Sequence, residues 1–206
     1  MQYQTRKSNA GFILWGDMYE LKALWTLIHR IQDESAIIKS EDGTLMDFAY
    51  ELRHAFDRMR RTSTRDWYGE DETPVYGMDC YWPEVLAQVG LMRAAMAFMP
   101  TITRNDQAVM YGLEATVLDA LEQMLPGAGE NFLSSVARNA QQGEKQLRSR
   151  IVNRTCYFLT LTPAARKKHL GAIVDSMGSI WARDNYLDPS LFEQFEDWTS
   201  YPEHKF

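Results

Sequence analysis

The sequence predicts a mainly helical α+β domain, a bundle of about seven helices with a small two- or three-stranded sheet at one end. Two observations carry this reading. Apolar residues recur at helical spacing over most of the chain, and helix-start signals repeat along it at Asp17, Pro83, Thr103, Thr162-Pro163 and Asp188-Pro189. Against these stand only short strand-like runs.

Residues 11–15 (Gly-Phe-Ile-Leu-Trp) read as a buried strand that turns at Gly16. Asp17 and Glu20 have capping-box spacing and open a helix to about residue 33, with Leu21, Leu24, Trp25, Ile28 and Ile31 along one stripe. Residues 36–39 could add a strand, and 40–44 form a charged turn. A second helix is expected over 45–61 on the face Phe48, Leu52, Ala55, Phe56 and Met59. Residues 62–73 read as a polar loop. Residues 75–82 read as an irregular or edge strand because Gly77 interrupts them.

Pro83 starts a helix to about residue 99 that is apolar nearly all round, which predicts the most buried helix of the fold. Pro100 stops it. Residues 103–125 carry Met110, Leu113, Val117, Leu121 and Met124 in helical register. Pro126-Gly127-Ala128-Gly129 is a break. Further helices follow over 130–152, from Pro163 onward, and briefly after Pro189, while 157–161 is ambiguous between helix end and strand. Residues 1–206 therefore read as one domain, with 126–129 as the sole candidate subdomain boundary.

The chain has 206 residues, 45% apolar and 24% charged, with 12% aromatic. These are the proportions of a globular protein with a well-filled core. A net charge of −6 gives no bulk attraction to nucleic acid or anionic lipid. Met1 to Asn9 is polar and the apolar run at 12–15 is too short for a signal core, so the expected setting is a reducing cytoplasm. Cys80 and Cys156 are expected as free, buried thiols. No metal-ligand spacing and no cofactor-binding motif is present, so neither is expected.

Two segments share a pattern of strand, Gly-Asp and helix at Trp15-Gly16-Asp17 and a helix start at Trp82-Pro83-Glu84. Residues 11–31 (GFILWGDMYELKALWTLIHRI) and 76–98 (YGMDCYWPEVLAQVGLMRAAMAF) together resemble a bacterial domain family with no assigned function. The likeness spans about residues 10–125. It implies a prokaryotic or phage origin and carries no activity across.

Several constellations have competing readings. Asp47, Glu51, His54 and Arg58 form one helical stripe, and Glu51-x-x-His54 is half of a pattern used by di-metal bundles. The partner half is missing, and the stripe lies opposite Phe48, Leu52, Phe56 and Met59, so a solvated face is expected. Gly127-Ala128-Gly129 lacks the strand, third glycine and lysine of a phosphate loop and reads as a turn. The aromatics Trp67, Tyr68, Tyr76, Tyr81 and Trp82, interleaved with acids, are candidates for a partner-binding surface, the alternative being packing on the core.

Residues 138–168 carry eight basic residues and one acid in a chain of net −6. Arg138, Lys145, Arg148, Arg166, Lys167 and Lys168 are the candidate anion-binding set. An internal neutraliser, the acidic segment 175–203, is favoured over an external polyanion. The functional expectation is a non-catalytic binding or regulatory module acting through protein–protein contacts, self-association into a homodimer included. The alternatives are an enzyme whose site is assembled only by folding, and polyanion or nucleic-acid binding through 138–168. No membrane association is expected.

Overall fold

Asn9, held at φ 55°, turns the chain between two antiparallel strands, β1 (Gln2–Thr5) and β2 (Gly11–Gly16). Asn tolerates this left-handed conformation at little cost. The computed structural model describes residues 1–38, 43–67, 70–127, 144–177, 190–193 and 195. The remaining elements are α1 (Met18–Glu34), α2 (Thr44–Phe56), β3 (Arg61–Trp67), β4 (Glu70–Tyr81), α3 (Trp82–Met96), α4 (Arg104–Met124), α5 (Glu144–Thr160), α6 (Pro163–Asp175) and the single turn α7 (Ser190–Glu193).

The fold is mainly helical, as expected, with six full helices among the described residues. Its sheet is larger than predicted. Four antiparallel strands run in the order β1-β2-β4-β3. The polar segment before residue 6 is an edge strand, paired Tyr3 to Leu14 and Gln4 to Ile13. Residues 62–73, expected as a loop, contain most of the β3–β4 hairpin, with Thr62 opposite Tyr76 and Thr64 opposite Pro74. Arg61 to Thr64 are exposed, so this outer strand has no buried alternation to announce it, only its β-branched residues.

β4 is interior, not an edge. Gly77 sits opposite Trp15, and a Cβ there would lie 2.7 Å from the indole ring. Residues 36–38 form no strand. The helix expected over 45–61 ends at Phe56, and Arg58 at φ 63° turns the chain into β3. The helix expected to stop at 152 continues as α5 to Thr160.

The capping box at Asp17 and Glu20 is present, with Asp17 Oδ1 accepting from the amides of Tyr19 and Glu20 at 2.8 Å. Phe12 and Leu14 of β2 and Tyr76, Met78 and Cys80 of β4 face the helices. Alternation along each strand turns Ile13, Trp15, Val75 and Gly77 to the opposite side.

α3 is the centre of the molecule. Twelve of its fifteen residues are buried, Leu86, Val89, Met92 and Met96 among them, and it packs against α1, α2, α4, α5, α6 and β4. Trp82 starts it, its ring 5.0 Å from that of Phe12 and its amide donating to the Ala10 carbonyl. The helix therefore begins directly at the end of β4.

Candidate functional site

The first turn of α3 and the polar stripe of α2 border a cavity of about 530 Å³. β4 supplies one wall through Met78, Asp79, Cys80 and Tyr81. α2 supplies another through Asp47, Phe48, Tyr50 and Glu51. Glu84, Val85 and Gln88 of α3 line the interior, and Arg60 and Arg148 reach in from the loop after α2 and from α5.

The stripe Asp47–Glu51 was expected to face solvent. It lies opposite the main apolar face, and its carboxylates remain partly exposed, Asp47 at 29% and Glu51 at 37%, each paired with an arginine. Arg148 donates to Asp47 through Nε (3.0 Å) and Nη2 (2.9 Å). Arg60 donates to Glu51 through Nε (2.7 Å) and Nη2 (2.9 Å). Two-point pairs of this kind fix both planes. His54 departs further from the expectation. It is buried at 8% exposure, its Nδ1 lies 3.0 Å from the Tyr50 carbonyl, and its ring meets that of Tyr50 edge-on at 3.9 Å. The Glu51-x-x-His54 spacing thus does not converge on one point. Among the described residues no group of three or more His, Cys, Asp or Glu is arranged to hold a metal ion.

Glu84 is the group that sequence reasoning passed over. It follows Pro83 in the first turn of α3 and is half-buried. Burial, with the nearby carboxylates of Asp47 and Glu51, pushes its carboxyl up to about 7. Its hydrogen-bond partner is Gln88, one turn on, whose Nε2 lies 3.4 Å from Glu84 Oε1 and 3.3 Å from the Thr44 carbonyl. Glu84 and Gln88, at i, i+4, are with Arg93 the polar exceptions on an otherwise apolar helix. That exception was the available signal.

The neighbours on β4 are less suited to proton exchange. Burial pushes the Cys80 thiol far up and the Tyr81 phenol up to about 12. Asp79 is held by Arg6 and by Arg61, whose Nε lies 3.2 Å from Oδ1. Both cysteines are free and buried, as expected.

The aromatic candidates divide. Tyr76 and Trp82 are core residues at 4% and 1% exposure. Tyr81 is half-buried on the cavity wall. The side chain of Trp67 and all of Tyr68 lie outside the described residues. Tyr76 turns inward because it shares the helix-facing side of β4 with Met78 and Cys80.

The basic candidates are also dispersed. Arg148 belongs to the cavity. Arg166 is buried, donating through Nε to the Phe158 carbonyl (3.2 Å) and through Nη1 to the Ser8 carbonyl (2.9 Å). It therefore folds back onto the carbonyl end of α5, where a cation is favourable. Lys167 and Lys168 are exposed. Arg138 and the side chain of Lys145 lie outside the described residues, as does most of the acidic segment 175–203.

The model of a family described as a domain of unknown function, DUF6904, matches residues 1–190. The chain belongs to this family. No curated protein and no solved structure matches the chain. The match extends well beyond residues 10–125 and takes in every element that lines the cavity, Arg148 included. No helix among the described residues is long and apolar enough to cross a membrane.

Proposed function

We propose that the chain holds a small molecule in the cavity between α2, β4 and α3 and that Glu84 exchanges a proton or hydrogen bond with it. Glu84 is the observation that carries this reading. A carboxyl brought to about 7 inside a concave space is equipped to bind or act as acid and base near neutral pH. The volume, about 530 Å³, falls in the range of roughly 300–1,000 Å³ typical of small-ligand sites. The residues come from five segments of the chain, which is why no contiguous motif announces them.

The test combines two measurements on the full chain. Side-chain NMR should find the Glu84 carboxyl titrating near pH 7. A fragment screen followed on the methyl signals of Met78 and Val85 should find ligands that shift both. Titration in the ordinary glutamate range together with no bound fragment would sink the proposal.

A second reading, a non-catalytic module working through protein contacts, draws on the exposed apolar pair Phe98 (50%) and Ile102 (39%) at the turn between α3 and α4. Light scattering at high concentration addresses its homodimer form. A monomer mass there would remove it.

A further inference from the structure

We infer that the ligand of this cavity is a small organic cation, an amine or amidine, whose positive nitrogen sits between the carboxyl of Glu84 and the side-chain carbonyl of Gln88. The inference rests on the cavity reading above and names the class of ligand.

Its first support is the charge inventory. Arg148 is committed to Asp47 and Arg60 to Glu51 in two-point pairs. Asp79 is committed to Arg6 and Arg61. Glu84 alone among these carboxyls has no cationic partner among the described residues. An anionic ligand would have to break an Arg–carboxylate pair and would meet three further carboxylates.

The second support is independent and comes from Gln88. This side chain is 96% buried, since only 4% of it is exposed. Its Nε2 contacts the Thr44 carbonyl, which can only accept, so the amide orientation is fixed. Both described bonds use Nε2, and Oε1 receives no donor among the described residues. At Gln88 and at ionised Glu84 the cavity therefore offers acceptor oxygens. A nitrogen cation with two or more N–H groups satisfies both Glu84 and Gln88.

The apolar body of such a ligand has a surface to lie on. Phe48, Met78 and Val85 line the same space and are only 1–3% exposed. This arrangement, an apolar slot closed by a few convergent polar atoms, orients a ligand end-on.

The test uses benzamidine and phenethylamine against the neutral 2-phenylethanol and the anionic 3-phenylpropionate, with the full chain at pH 8. The expected result is that the cations bind and the Met78 and Val85 methyls shift. Glu84→Gln should weaken cation binding by roughly ten- to a hundredfold, the value of one charge-assisted hydrogen bond. Benzamidine keeps its charge across the range, so its affinity should rise with pH as Glu84 loses its proton and then level off. Asp47, Glu51, Asp79, Cys80, Tyr81, Arg60 and Arg148 are the titratable and charged groups that line the cavity with Glu84. Stronger binding of the neutral or anionic probe at the same methyls would overturn the cation assignment and leave the cavity reading standing. Binding of no probe in this panel would overturn the cation assignment as well, and only the wider fragment screen then decides the cavity reading.

Discussion

Arg148 on α5 grips Asp47 on α2 through two hydrogen bonds, of 3.0 and 2.9 Å, across 101 positions of sequence. The pair closes one side of the cavity and neutralises the carboxylate that stands near Glu84. Its removal should therefore be read in two places. Both partners are about one-third exposed, so Arg148→Ala should cost only about 1 kcal/mol of stability in a urea melt. The Glu84 titration should respond more clearly. With Asp47 uncompensated, its midpoint should move above 7, and an unchanged midpoint would separate Asp47 from Glu84 electrostatically.

Glu84 should also leave a signature in stability against pH. Its carboxyl is raised from 4.5 in the unfolded reference to about 7 in the fold. Between those values the native state binds more protons than the unfolded state, so stability falls as pH rises through the window. Below it the group is protonated in both states and imposes no cost; above it the full cost is present. Glu84→Gln should thus be more stable than the parent at pH 8, by on the order of 1–3 kcal/mol, with the gap closing by pH 4. Chemical denaturation at the two pH values measures this. A gap that is absent at pH 8, or that widens in acid, would contradict the raised carboxyl.

Gly11 offers a test of the sheet that positions β4. It faces Tyr81 across the β2–β4 ladder, and a Cβ there would lie 1.8 Å from the Cys80 carbonyl oxygen, a backbone atom that cannot step aside. Gly11→Ala should cost 3 kcal/mol or more (about the upper end for overpacking) or prevent folding. Gly112→Ala on α4 is the matched control. Its added methyl would meet nothing nearer than the Met1 Cε at 3.6 Å, and it should stabilise the helix by about 0.5–1 kcal/mol. Equal melting of the two variants would mean that the β2–β4 register is not as described.

These cases show where the sequence was legible. The capping box at Asp17 and Glu20, the Pro-led starts of α3 and α6 and the burial of α3 follow from local chemistry, and periodicity reads them directly. β3 was hidden because Thr62-Ser63-Thr64 is solvated on both faces and shows no alternation. The α2 stripe was placed correctly opposite Phe48 and Leu52. A helical wheel does not reveal what meets the second face, and here Arg148 and Arg60 pair with its carboxylates. Glu84 has a meaning only beside Asp47 and Glu51, which folding brings to it. In the basic segment 138–168, Arg148, Arg154 and Arg166 turn to three different partners, a divergence that spacing in sequence does not show.

Arg154 is the most telling of these. It is placed where α5 passes the carbonyl end of α6, and its guanidinium donates to the Ser176 carbonyl through Nε (3.2 Å) and Nη2 (3.0 Å) and to Ser176 Oγ (2.9 Å). Burial, with the neighbouring Arg150, brings its pKa down to about 10, so the charge is costly and no carboxylate partner offsets it among the described residues. The helix carbonyls do that work. The same guanidinium lies 4.2 Å from the ring of Phe192, which is buried against Tyr157 and anchors α7. Arg154→Met keeps the length and apolar stem and removes the donors. It should cost about 1–3 kcal/mol, because a buried carbonyl and hydroxyl lose their partners. Arg154→Lys should recover only part of this, since one ammonium cannot reproduce the planar fork. Hydrogen exchange gives the local readout. The amides of Ser176 and Met177 at the end of α6 should exchange faster in the Met variant, while those at the centre of α3 keep their protection relative to global unfolding. Unchanged exchange at the end of α6 would show that Arg154 does not hold it.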